Sequence, residues 1–182
     1  MSFVALQRGG IYMRLVEPAW AEPLDGSYSL AAGGRWNPAG GFGVVYLVGS
    51  LTVARARVLF KLSGLPYGPE ELAHDRAPDL VVTEIPEVEF VDLVTDDGLV
   101  AAGLAATYPR AEGGSIVRHD VCQPIGMSAW EAGWPGIACR SSVPGVATED
   151  EELALFDRGI SLSVLERSRF EDWFWGASAA TK

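Results

Sequence analysis

Short apolar runs alternate with Gly/Pro-rich turns and a few longer helical stretches along this chain. Residues 10–16, GIYMRLV, predict a first strand, and 42–48, ending VVYLV, a second. Ser50 then stands as an N-cap before apolar positions 51, 54, 58, 59 and 62, a helical spacing that predicts a helix to about Leu62. LVVTEI (80–85) and VEFVDL (88–93) read as two strands broken by Pro86, since proline cannot donate to a ladder. Asp96 or Asp97 is placed to cap a short helix over 98–107. Residues 116–132 predict another helix, started or kinked by Pro124. GIACR (136–140) and LALF (153–156) complete the strands. Residues 17–42, 108–115 and 141–151 read as loops, and 161–175 as a mixed aromatic segment. Intermixed strands and helices predict an α+β class in a single domain over 1–182.

Composition narrows the functional classes. Of 182 residues, 48% are hydrophobic, enough for a core. The net charge of −10 argues against a broad nucleic-acid surface. Cys122 and Cys139 form no disulfide framework and read as buried thiols of a reducing compartment. Without an apolar run of membrane-spanning length or a signal-like start, a cytoplasmic location without membrane contact is expected. His74 and His119 are the only histidines, and no Cys/His spacing suits a metal.

Chemistry concentrates between Gly33 and Val58. Arg35 sits in a Gly/Pro-rich turn, where a planar guanidinium fork beside closely approachable backbone makes an anion clamp. A pocket for a phosphate-bearing small molecule is expected there. Arg14, Asn37, Tyr46 and Ser141 also lie where strands end and loops begin. Each also has an ordinary structural use: a packed arginine stem, a core tyrosine, a turn-capping serine.

Taken in order, YMR, GGRWNP, VYL, a helix, CQPIG, GWPGIACRSS and LALF resemble the RES domain family, over about residues 12–156. Residues 157–182 would pack on that unit. The resemblance implies an ADP-ribosyltransferase-like mixed sheet with flanking helices. It implies a toxin that degrades NAD by cleaving the nicotinamide–ribose bond, by hydrolysis, phosphorolysis or ADP-ribosyl transfer. It further implies an Xre-type antitoxin partner and an oligomer formed through that complex. By position, Arg14 and Arg35 match the family arginines that would hold the pyrophosphate, with Asn37 beside them. Tyr46 matches the tyrosine that would bound the nicotinamide, and Ser141 the serine.

One position departs. The family carries a glutamate eleven residues after the tyrosine, and here that position is Arg57. The helix from Ser50 to Leu62 holds no acid. A guanidinium facing the oxocarbenium-like charge of the breaking bond would raise the barrier by several kcal/mol. The family asparagine before LALF is here Glu152, which could pair with Arg57 or supply the missing carboxylate. Glu70 and Glu71 are further sources of an acid. Two readings stay open: an NAD-cleaving enzyme, or an impaired module that binds NAD, another anion or a protein.

Overall fold

The computed structural model describes residues 2–147 and 149–176. Its elements are β1 (Ala5–Val16), α1 (Ser27–Ala32), β2 (Val44–Val48), α2 (Leu51–Leu62), β3 (Asp79–Leu93), α3 (Asp96–Ala101), α4 (His119–Glu131), β4 (Gly136–Arg140), β5 (Glu151–Phe156), β6 (Val164–Ser168) and α5 (Phe170–Phe174). The six strands form one mixed sheet in the order β1-β2-β5-β4-β3-β6, and β1 also pairs with β3. That extra pairing curls the sheet into a ring. The α+β expectation with helices flanking a mixed sheet is borne out.

Strand alternation divides the apolar residues between the two faces of the ring. Tyr12, Val45, Leu47, Phe90, Ala138, Leu153 and Leu155 pack together inside it. Outside, α3, α4 and the Trp36–Phe42 segment cover Val44, Ile137, Ala154 and Phe156. A second outer patch forms where α2 and α5 cover Val48 and Leu80. α5 belongs to the aromatic C-terminal segment: Phe174 stacks on Phe170, Trp173 meets both edge-on, and the Trp173 indole donates to the Pro78 carbonyl at 2.9 Å.

Several local expectations are corrected. β3 runs unbroken through Pro86. Its pairing with β1 skips a residue between Arg8 and Gly10, and its other edge is covered only at 80–83 by β6 and at 91–93 by β4. Pro86 therefore falls at a bulge and on an open stretch of edge, where a missing N–H breaks no ladder bond. Thr95, not an aspartate, caps α3 by accepting from the Gly98 amide, and α3 ends at Ala101 rather than 107. α4 starts at His119 rather than 116 and carries Pro124 inside it. The loop after β1 contains α1. In α2, Ser50 caps as expected by accepting from the Val53 amide at 3.2 Å. The buried stripe is Val53, Ala54 and Val58, while Leu59 is exposed.

Candidate functional site

The two outer patches meet over the middle of β2 and β5. Val44 lies under α4 and Val48 under α2, so Tyr46 falls between them. Register pairs Tyr46 with Ala154 and Val48 with Glu152, and Glu152 also pairs with Cys139 across β4. Tyr46 and Glu152 are thus diagonal neighbours on one face. The expected strand began at Leu153; two more residues of pairing carry Glu152 into the sheet and bury it at 5% exposure.

A buried carboxylate needs partners. Glu152 has two. Ser141, just past β4, donates from its hydroxyl at 2.6 Å. Arg57 forms an ion pair with the other carboxylate oxygen. Arg57 reaches it because position 57 follows Val53 and Ala54 by about one turn, on the core-facing side of α2. Its Nε is buried with no partner among the described residues.

The Gly33–Pro38 turn supplies the opposite wall. Asn37 is fully buried and donates to the Ser29 and Phe42 carbonyls at 2.7 and 2.9 Å. Its side-chain oxygen accepts from the Tyr46 hydroxyl at 2.8 Å, and that hydroxyl accepts from the Trp36 amide at 2.9 Å. Gly34 is required by this arrangement, since a Cβ there would lie 2.4 Å from the Tyr46 oxygen. Gly126 of the CQPIG segment lets α4 approach the same turn: a Cβ would lie 1.7 Å from the Trp36 carbonyl oxygen. Arg35 donates from one nitrogen to the Val117 carbonyl at 2.9 Å and contacts the Cys122 sulfur at 3.8 Å. The structure gives its Nε and Nη2 no protein acceptor among the described residues.

Arg14 stands apart. It follows Met13, which pairs with Val48, so it projects to the other face of β1. Its Nη1 donates to the Pro23 and Asp25 carbonyls at 2.7 and 2.9 Å, and its guanidinium lies over Trp20. Burial lowers its pKa to about 10. Arg14 shapes the loop after β1, and no described contact joins it to Arg35, Tyr46 or Glu152. Glu70 and Glu71 form a separate 3₁₀ turn after α2, where Glu71 accepts from the Gly68 amide.

Two residues missed by the sequence reading complete the surroundings. Arg140 spends every nitrogen: Nε on the Val94 carbonyl at 2.7 Å, Nη1 on those of Ala106 and Tyr108, Nη2 on Asp96 at 2.7 Å. It thereby fixes the backbone of Tyr108, whose ring packs against Trp36. Tyr108 and Ser141 line one cavity of about 250 Å³. Arg140 sits in the quoted GIACRSS run, directly before Ser141, and that adjacency was the available signal. Tyr108 offered none, because its place depends on Arg140.

The enclosed setting keeps the neutral groups neutral. Burial raises the Tyr46 and Tyr108 hydroxyls above the ordinary tyrosine range. It pushes the Cys139 thiol up to about 12. Cys122 is raised by burial, which outweighs the opposing pull of Arg35. Burial and then Arg35 lower His119. Both cysteines are buried and unbridged. Among the described residues no group of three or more His, Cys, Asp or Glu could hold a metal ion, and no helix is long and apolar enough to cross a membrane.

What this assembly offers is one buried carboxylate flanked by a serine, two arginines with unused N–H groups and two neutral tyrosines. Of these, Arg35, Tyr46 and Ser141 carried the sequence resemblance while Arg57 and Glu152 departed from it, and comparison with known proteins agrees on the family. The RES domain family model matches residues 12–173, and the chain belongs to that family. Among solved structures, the chain is similar in fold to one in the toxin–antitoxin complex MbcT–MbcA of M. tuberculosis. The TM-score is 0.74 at 18% identity, over 94% of this chain and 92% of that one. No curated protein matches it by sequence.

Proposed function

We propose that this chain is a RES-type toxin that cleaves the nicotinamide–ribose bond of NAD, with Glu152 taking the part of the glutamate absent at position 57. The buried Glu152 carboxylate, held by Ser141 and Arg57 beside Tyr46, carries this reading. As the C–N bond breaks, its electron pair leaves with nicotinamide and positive charge develops on the ribose. A fixed carboxylate lowers that barrier most effectively where water is excluded. Water, which loses a proton to solvent as it adds, or phosphate then bonds to the ribose carbon. The free N–H groups of Arg35 suit the pyrophosphate, in charge-assisted bonds. Tyr46, locked by Asn37 and the Trp36 amide, would bound the nicotinamide ring. Arg57 holds Glu152 in place through the ion pair. An antitoxin of the Xre type is the expected partner, in line with the complex in which the similar fold was solved.

The ion pair itself favours a second reading. If Arg57 cancels the charge of Glu152, the site binds NAD without cleaving it. Incubating the purified chain with NAD, with and without phosphate, separates the two. Nicotinamide release supports the enzyme. Intact NAD that still raises the melting temperature supports the binding module. Neither release nor a shift overturns both.

A further inference from the structure

Among the described residues Tyr108, like Arg55 and Arg57, leaves a buried polar atom without a partner, and unlike those arginines it has no second side-chain polar atom that is bonded. It is 1% exposed, and its hydroxyl is buried with no hydrogen-bond partner among the described residues. Buried hydroxyls are nearly always paired, so an orphan needs a reason. The Tyr108 ring packs against Trp36, with centroids 6.1 Å apart, and the Trp36 amide donates to the Tyr46 hydroxyl of the candidate site. Tyr108 shares the 250 Å³ cavity with Ser141. That volume is several times a water's share of the liquid, about 30 Å³, and admits a ring-sized group. Arg140 donates to the Tyr108 backbone carbonyl at 3.3 Å, and the buried ring itself is packed against Trp36. Burial keeps the hydroxyl protonated, and a neutral, deeply placed donor suits a neutral acceptor. The charged parts of a dinucleotide have Arg35 instead.

We infer that Tyr108 is a specificity-determining residue of this site, its hydroxyl donating to the carbonyl oxygen of the nicotinamide carboxamide. The inference rests on the NAD reading above. It makes Tyr108 the group that recognises the pyridine substituent, while Glu152 serves the ribose. A site built to hydrogen-bond one substrate atom rejects analogues lacking that acceptor far more strongly than an apolar slot does.

The test compares wild type and Tyr108→Phe on NAD and on its thionicotinamide analogue, whose sulfur is a poor acceptor. Wild type is expected to prefer NAD by about tenfold or more in kcat/KM, a single lost hydrogen bond. In Tyr108→Phe the preference collapses and KM for NAD rises about tenfold, with kcat little changed. The unliganded variant melts no lower than wild type, because the hydroxyl removed was unpaired. A purely structural role would lower the melting temperature and leave the preference intact. Wild type that uses both dinucleotides equally overturns the inference whatever the variant does. So does a variant that keeps the preference; the NAD reading survives either result. Wild type that neither cleaves nor binds NAD overturns that reading and this inference with it.

Discussion

Arg140 and Arg57 flank the same serine and do opposite work. Arg140 is nearly enclosed, and each of its nitrogens meets a carbonyl or Asp96. Arg57 is partly open, touches a single carboxylate, and keeps a buried N–H unpaired. A guanidinium with all donors matched is architecture: it ties the connections on both sides of α3 to the end of β4. One with donors left over, beside a buried carboxylate, is available to a ligand. Arg35 falls in the second class and Arg14 nearer the first. Motif order alone put Arg14 and Arg35 together; what each guanidinium bonds separates them.

Truncating the architectural arginine should give the largest effect. Arg140→Ala leaves three carbonyls without their donor and is expected to cost about 3 kcal/mol of stability. Urea denaturation reads this directly, and a loss under about 1 kcal/mol would dissolve the distinction. Arg35→Ala should show the converse. Its guanidinium gives up one carbonyl bond, so stability changes by about 1 kcal/mol or less, while NAD binding weakens about tenfold or more. Ligand-induced shifts in melting temperature measure the second quantity, and an unchanged shift would move Arg35 into Arg140's class.

A smaller effect concerns Cys139, paired with Glu152 across the sheet. Cys139 titrates near 12 in the folded chain, against 9.0 for an ordinary thiol. The folded state therefore holds this proton more tightly than the unfolded state. Its contribution is complete below pH 9 and is lost as pH rises from there towards 12. Between pH 9 and 11 the denaturation midpoint should fall, and Cys139→Ala should flatten the slope, by at most about 1.4 kcal/mol per pH unit. An identical slope in the variant would contradict the enclosed environment assigned to this face.

Much of the fold was legible because it is written in local chemistry. The Ser50 cap, the apolar runs of β2, β4 and β5, and the GGRWN turn each announce themselves over a few residues. Pro86 misled, because a strand break is the local rule and only a bulge opposite Gly9, on an edge left open by β4 and β6, suspends it. β6 was missed for a related reason: VLERS has no alternation and all but its last residue are exposed, and pairing with β3 alone makes it a strand. In the site, the sequence marked the substitution at Arg57 and the change at Glu152. It could not bring them into contact, since that depends on the register of β5 against β2 and on the roll of α2. Tyr108 was invisible, being placed by an arginine 32 residues away.

The proposed activity turns on Glu152 supplying the carboxylate that position 57 lacks. Nicotinamide release from NAD by wild type and Glu152→Gln, measured side by side on folded protein, tests it most directly. The amide preserves shape and can still bond Ser141, so the account predicts turnover by wild type and a loss of about a hundredfold or more in the variant. A Glu152→Gln variant that releases nicotinamide as fast as wild type would contradict it.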